Sequence, residues 1–115
     1  MQPITVSTTD ASLATTYSRK VRMDSWANAP CIIQVKVSGS ATYTVETSMD
    51  DPNSPTNPVA EGSMTRNDAL DANLVDETSA KTAVLSGTPT FVRLKQTAGS
   101  GTATMTIAQF GNATF

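Results

Sequence analysis

Apolar and polar residues alternate one by one through much of the chain, and this pattern is typical of β-strands with one buried face. It is clearest where Cys31, Ile33, Val35 and Val37 share one face of a segment. Thr occupies many of the alternating positions, and its branched β-carbon favours extended backbone. The pattern predicts about seven short strands, at residues 4–7, 17–23, 31–37, 41–47, 82–85, 91–96 and 102–110.

Two pairs of neighbouring strands are separated by short, glycine-containing links. Residues 38–40, Ser-Gly-Ser, separate 31–37 from 41–47, and residues 97–101, with Gly99 and Gly101, separate 91–96 from 102–110. Short links with glycine are typical of β-hairpins. The sequence therefore predicts two hairpins, each lying within one sheet.

Residues 49–80, between these pairs, are mostly polar. Residues 50–58 are rich in Asp, Asn, Ser and Pro, which favour turns and exclude a central strand or a helix. Residues 66–77 carry apolar side chains among acidic ones, and one helical turn is predicted there. Together these patterns predict an all-β, single-domain antiparallel β-sandwich or small barrel over residues 1–115, with a long middle loop.

The composition indicates a lean core. Of the 115 residues, 38% are hydrophobic and 5% aromatic, whereas ordering the backbone costs about 1–2 kcal/mol per residue. A fold of this kind gains stability from neighbouring proteins, so we expect an oligomer or a docked subunit.

The charge distribution argues against nucleic-acid and membrane binding. Eight Lys and Arg against ten Asp and Glu give a net charge of −2, and the nearest basic run, Arg19-Lys20-Val21-Arg22, has its charges on both sides of a predicted strand. Phosphate binding favours a basic stripe along the protein, which this pattern does not provide. Crossing a bilayer takes about 18 consecutive apolar residues, and the sequence has no apolar run of that length. The first residues also lack the basic and apolar segments of a signal peptide, so synthesis in the cytoplasm is expected.

The side chains that usually perform catalysis are scarce. Histidine is absent, and Cys31 stands alone within an apolar strand, where a small core residue is the expected role. Without histidine there is no Ser-His or Cys-His nucleophile pair. We therefore expect neither an enzyme nor a bound cofactor or metal.

Three polar or aromatic groups still have a chemical interpretation. The Asp50-Asp51-Pro52-Asn53 segment could present oxygens to calcium, but it lacks the EF-hand spacing, and a proline-stiffened Asx turn is favoured. Two acidic residues could act together in glycoside hydrolysis, although a solvated loop explains them as well; the candidates are Asp68, Asp71, Asp76 and Glu77. Trp26, in a predicted loop, could bind a sugar, anchor an interface or cap the core.

Two segments resemble small virion proteins of tailed bacteriophages. One runs from the strand at Tyr43 through the Asp-Pro loop at 50–58, and the other is the closing segment 91–110 with its R-x-x-x-T-x-G-x-G-T-x-T order. About half of the chain takes part, and the likeness is one of composition and order. The resemblance implies a jelly-roll-like capsid cement or decoration protein, bound to the outer surface of the major capsid protein shell as a dimer or trimer. In that case the protein is located on the virion.

On this hypothesis the loop at residues 50–58, Trp26 and the N-terminal arm at residues 1–10 form the contact surface. The residues expected to bind the partner are Asp50, Asp51, Asn53, Pro55, Asn57, Pro58 and Trp26. Three alternatives remain open: a neck, tail or fibre-base component, a carbohydrate-binding β-sandwich that uses Trp26, Tyr17 and Tyr43, and a hydrolase.

Overall fold

The protein folds into nine described strands and two short 3₁₀ turns. The computed structural model describes residues 3–23, 30–69, 71–85 and 89–109. The strands are β1 (Ile4–Thr9), β2 (Thr16–Tyr17), β3 (Val21–Arg22), β4 (Cys31–Ser38), β5 (Thr42–Ser48), β6 (Asn67–Asp68), β7 (Lys81–Leu85), β8 (Phe91–Ala98) and β9 (Thr102–Gln109), and the turns are Glu61–Ser63 and Ala72–Leu74. Among these residues no helix is long and apolar enough to cross a membrane.

The strands form two antiparallel sheets that pack face to face. Sheet A has the order β1-β9-β4-β7. Sheet B has the order β2-β8-β5-β6, and β3 pairs with β8 beyond the end of β2. The predicted all-β, antiparallel sandwich class is confirmed.

The core lies between the sheets, and the alternation of the sequence places its residues there. Cys31, Ile33 and Val35 of sheet A are fully buried. Tyr43 and Leu94 of sheet B are buried from the opposite side of the core. Burial of one apolar side chain contributes about 1.5–3 kcal/mol, so these inward faces hold the two sheets together. The predicted core role of Cys31 is confirmed, and burial raises the pKa of its thiol.

The two predicted hairpins are wrong. β4 pairs with β7 and β9, while β5 pairs with β6 and β8. β8 and β9 likewise belong to different sheets. Both glycine-containing links therefore cross from one sheet to the other. Alternation could not reveal this, because the apolar faces of two successive strands meet the same core whether the strands pair side by side or face each other.

The two links cross each other in close contact. The Gly101 amide donates a hydrogen bond to the Ser40 carbonyl at 2.7 Å. A β-carbon on Gly99 would lie 2.1 Å from that same oxygen, and Gly99 has a φ of +95°, a conformation that glycine adopts without steric cost. A β-carbon on Gly101 would lie 2.3 Å from the Ser38 carbonyl oxygen. The glycines thus allow two backbones to pass where side chains would clash.

A buried glutamine holds this crossing in place. Gln96 is fully buried, and its side-chain amide donates to the Gly99 and Gly101 carbonyls, each at 3.0 Å. Its side-chain oxygen accepts from the Thr8 hydroxyl at 2.8 Å. Buried polar groups need such partners, since an unmade hydrogen bond costs about 1–3 kcal/mol. Gln96 therefore joins β1, β8 and the link after β8.

The predicted second strand at 17–23 is two short strands with a bulge between them. The Ser18 amide donates to the Leu94 carbonyl, and Val21 lies opposite Val92. The segment advances three residues from Ser18 to Val21, while β8 advances only two from Leu94 to Val92. The segment therefore holds one extra residue. An extra residue reverses which face the following side chains occupy. Unbroken alternation over 17–23 would place Tyr17 and Val21 on one face, whereas in the structure Val21 is buried and Tyr17 is half exposed.

The middle of the chain is more ordered than a plain loop. Residues 67–68 form β6 beside β5, and Tyr43 and Glu77 exchange backbone hydrogen bonds of 2.9 and 3.0 Å. The single helical turn predicted within 66–77 is confirmed at Ala72–Leu74, where the Asp71 carboxylate accepts from the Asn73 amide at 2.9 Å. Leu74 is fully buried, so this segment closes one side of the core.

Candidate docking surface on the outer face of sheet B

Five basic side chains come together on the outer face of sheet B, which we call the basic face. They come from three separate segments: Lys20 and Arg22 around β3, Arg66 before β6, and Arg93 and Lys95 on β8. The bulge after Ser18 is what brings Lys20 and Arg22 to this side of the sheet. The fold thus adds Arg66, Arg93 and Lys95 to two cations of the 19–22 segment and assembles a basic cluster.

Glu46 lies at the centre of the basic face. Its Oε1 accepts from Arg93 Nε at 2.7 Å, and its Oε2 lies 3.8 Å from Lys95 Nζ. Glu46 is 8% exposed, so its charge is largely removed from water and needs these partners. Arg93 sits directly opposite Glu46 in the β5–β8 register. Glu46 is therefore held between the two cations of β8, and Asp68 of β6 lies on its other side in the same row of the sheet.

Two aromatic rings lie beneath the cations of the basic face. The Arg93 guanidinium is 4.0 Å from the centre of the Tyr17 ring. Lys20 and Arg22 each lie 5.2 Å from the centre of the Phe91 ring. Cation–π contacts of this length contribute about 0.5–1 kcal/mol at exposed sites. They also restrict the long side chains, so the charged groups are held in position over the sheet.

The 50–58 loop is attached to the same face through its first residues. Arg22 Nη2 donates to Asp51 Oδ2 at 2.6 Å, and the Thr65 amide donates to Asp50 Oδ2 at 2.5 Å. The Asn53 amide donates to Asp51 Oδ1 at 2.9 Å, which is the predicted Asx turn. The guanidinium of Arg22 keeps the pKa of Asp51 below its usual value. Asp50 and Asp51 thus form the attached base of the loop.

The tip of the loop is exposed and carries no charge. Its exposed residues are Asn53, Pro55, Thr56, Asn57 and Pro58. The Ser54 hydroxyl accepts from the Thr56 and Asn57 amides at 3.3 and 3.1 Å, which fixes the turn from inside. Of the residues predicted to bind a partner, Asn53, Pro55, Asn57 and Pro58 are exposed at the tip. Trp26 lies outside the described residues.

A second connection holds the far end of this segment. Glu61 forms an ion pair with Lys20 and another with Arg66 at 3.1 Å. The hydrogen bond from Lys20 lowers the pKa of Glu61. The Thr90 hydroxyl also donates to the Met49 carbonyl at 3.2 Å. The segment from Met49 to Arg66 is therefore attached to the basic face near both of its ends.

The structure places the other predicted site residues away from the basic face or in structural roles. Tyr43 is fully buried, its hydroxyl donates to the Ser79 carbonyl at 2.8 Å, and burial raises its pKa to about 12. It cannot stack on a sugar together with the exposed Tyr17. Asp71 caps a 3₁₀ turn, and Asp76 accepts from the Thr44 hydroxyl at 3.3 Å. Asp68 lies opposite Glu46. Among the described residues, no three acidic or cysteine side chains are grouped to hold a metal ion.

The N-terminal arm, also expected at the contact surface, forms the edge of the other sheet. Its residues 4–9 make up β1 of sheet A. Neither Glu46 nor any of the five cations of the basic face was predicted as a site residue. The outward positions of Arg93 and Lys95 follow from alternation alone, but their approach to Glu46 depends on which strands pair.

Comparison with protein families, curated proteins and solved structures finds no match.

Proposed function

We propose that this protein is a non-enzymatic structural subunit that docks on a larger protein shell, as a capsid cement or decoration protein of a tailed bacteriophage. The partner on this proposal is the outer surface of the major capsid protein, and the protein acts as a dimer or trimer on the virion. The observation that carries the proposal is the 50–58 loop, whose uncharged tip projects from a base held by ion pairs and hydrogen bonds.

A loop held in this way is suited to binding a protein. Ordering a flexible loop on association costs free energy, and a pre-ordered loop avoids much of that cost. The proline residues at 52, 55 and 58 restrict the backbone further. Next to the loop, the basic face carries five cations paired with Glu46, Asp51 and Glu61, and a partner surface with a complementary charge pattern would be guided in docking and orientation.

The strand arrangement also supports the proposal. When β2 and β3 are counted as one interrupted strand, the two sheets have four strands each, and both glycine links cross between the sheets. An eight-stranded, two-sheet arrangement with Greek-key connections describes a jelly roll, a fold found among viral capsid and lectin domains. Fold alone does not determine function, so the loop remains the decisive feature.

The first experiment is to count copies of this protein in purified phage particles by quantitative mass spectrometry, against the major capsid protein. A ratio near one, or a simple fraction of it, is expected for a shell-wide cement protein. A handful of copies per particle would instead place it in the neck, tail or fibre base. Absence from particles would refute the proposal.

The second experiment tests the loop. Asn57→Ala with Pro58→Ala changes two exposed tip residues, and binding to particles that lack the protein is expected to weaken while thermal stability is retained. The matched control is Asn73→Ala, an exposed residue in the 72–74 turn on another part of the protein. Equal binding by the tip variant and the control would remove the loop from the interface.

A further inference from the structure

The open edge of β1 is the least protected sheet edge in the described part of the molecule. β1 has six residues and pairs regularly with β9 along its whole length. It contains no charged residue, no proline and no bulge. Natural proteins usually protect an exposed edge with one of these features, since unpaired backbone groups attract another strand.

The other described edges each have such protection. The edge formed by β2 and β3 is interrupted by its bulge, and β6 is only two residues long and carries Asp68. β7 begins with Lys81, and the 3₁₀ turn at Ala72–Leu74 packs against it. Short strands, bulges, charges and covering segments all discourage edge-to-edge pairing. β1 therefore differs from the rest.

The backbone groups that point away from β9 can be identified. The Asp10 amide donates to the Gly101 carbonyl at 3.0 Å, and these residues lie opposite each other when the β1–β9 register is continued. In an antiparallel pair, hydrogen-bonded residues alternate with residues that do not exchange backbone bonds. Even-numbered residues of β1 therefore bond to β9. The N–H and C=O groups of Thr5, Ser7 and Thr9 point to the open edge.

Side-chain contacts agree with this assignment. Thr5 and Thr106 share a hydroxyl hydrogen bond of 3.1 Å, and Thr9 and Thr102 share one of 2.9 Å. Side chains approach most closely at the pairs that do not exchange backbone bonds. The side-chain contacts thus agree that the odd-numbered residues of β1 direct their backbone N–H and C=O groups to the open edge.

We propose that β1 pairs in antiparallel fashion with β1 of a second copy of this protein, which joins two A sheets into one eight-stranded sheet. This pairing would form the interface of the homo-oligomer that the proposed function includes. Only in that respect does it rest on the proposed function. A two-fold axis places Ser7 opposite Ser7 of the second copy, and Thr5 opposite Thr9 of the second copy. This register matches odd-numbered residues with each other and makes about six backbone hydrogen bonds, two for each of three pairs.

The partner is a second copy because the strand is complementary to itself. An interface on a two-fold axis brings the same residues of both subunits together, and like charges placed opposite each other are unfavourable. The three outward side chains of this strand are uncharged hydroxyls, namely Thr5, Ser7 and Thr9. The basic face could not pair with itself in this way, since its cations would meet. Pro3, which lacks an N–H, ends the pairing just before β1.

The test uses the purified protein alone, by analytical ultracentrifugation over a range of concentrations up to roughly 1 mM. The wild type is expected to form dimers reversibly. Ser7→Lys places two ammonium groups directly opposite each other at the axis, and it is expected to raise the dissociation constant by at least about tenfold. Thr82→Lys is the matched control, because Thr82 is an exposed residue on β7, the other edge of sheet A, and it should leave the dissociation constant unchanged.

A second variant tests the backbone directly. Ser7→Pro removes an N–H that points away from β9, so the β1–β9 pairing is retained and edge proline is tolerated. Dimerisation is expected to be lost while circular dichroism stays native. A wild type that remains monomeric throughout would overturn the pairing, as would dimers that both Ser7 variants leave intact or that Thr82→Lys also dissociates. Particle binding is not needed for any of these results, so failure of docking and failure of dimerisation are distinguishable.

Discussion

Replacing Gln96 with leucine should measure how much the crossing of the two sheet-to-sheet links contributes to stability. Leucine is of similar volume and suits a site with no exposure to solvent. It removes the hydrogen bonds to the Gly99 and Gly101 carbonyls at 3.0 Å and the one from the Thr8 hydroxyl at 2.8 Å. It also leaves the buried Thr8 hydroxyl without its acceptor.

The magnitude follows from those three bonds. Each contributes about 0.5–1.5 kcal/mol net, and leucine returns roughly 1 kcal/mol through its apolar surface. The two glycine carbonyls keep the Ala11 and Asp10 amides as donors, which limits the loss. We therefore expect the free energy of unfolding to fall by about 0.5–3.5 kcal/mol, with an unchanged urea m-value.

Urea denaturation followed by circular dichroism measures this, and a double-mutant cycle adds the control. Thr8→Val removes only the Thr8–Gln96 bond, so the two changes together should cost about 1 kcal/mol less than their sum. If Gln96→Leu lies within about 0.5 kcal/mol of the wild type, the crossing is not held by Gln96 and the reasoning is refuted.

Three further outcomes are expected. Gly99→Ala should destabilise the protein by at least about 2 kcal/mol, because its β-carbon would clash with the Ser40 carbonyl and its φ is positive. The control Gly62→Ala has open space around it and should leave stability unchanged. Equal urea midpoints for the two variants would contradict this prediction. The pKa of Asp51 in the folded protein lies below its usual 3.8, so its contribution to stability is present above that pH and disappears as the pH falls through the folded value. Asp51→Asn should accordingly be less stable than wild type at pH 6, with the gap closing below pH 3.8 in urea titrations; a gap independent of pH would count against the Arg22 ion pair. Tyr43 should ionise near pH 12, seen as an absorbance step at high pH that Tyr43→Phe abolishes. Since that folded pKa exceeds the usual 10.0, its contribution to stability holds below pH 10 and is lost as the pH rises through 12; a tyrosine step that remained in the variant would belong to another residue.

The class of fold could be predicted from the sequence, because the alternation at residues 31–37 and 91–96 shows that each strand has one buried face, whichever strand it pairs with. The sequence was insufficient for strand pairing, because Ser38-Gly39-Ser40 can turn within one sheet or cross between two. The choice depends on the contact between Gly101 and Ser40, which lie far apart in the sequence.

The candidate site was predictable to a similar extent. The turn residues at 50–58 indicated an exposed loop, and the tip is indeed exposed. The attachment of its base required Arg22 to face Asp51, and this depends on one extra residue after Ser18 that reverses the side of the strand. The meeting of Glu46 with Arg93 depended likewise on the β5–β8 register. Local pattern fixes which way a side chain points, whereas long-range pairing decides what it meets.

The order of strands in the two sheets has a consequence for the synthesis of the protein. β9 lies between β1 and β4, and it places Ile4 opposite Ile107. β8 holds the corresponding position between β2 and β5. A nascent chain that has not yet produced these two strands therefore lacks one of the two interior strands of each sheet, and β1 and β2 have no strand to pair with. Folds dominated by such distant pairings form slowly, in about milliseconds to seconds.

Folding is therefore expected to begin only once translation has passed residue 109. Interrupted products would expose unpaired apolar strands and become substrates for chaperones and proteases. Only chains that carry β8 and β9 would then reach the folded state, so the topology itself would act as a check on the completeness of every folded chain.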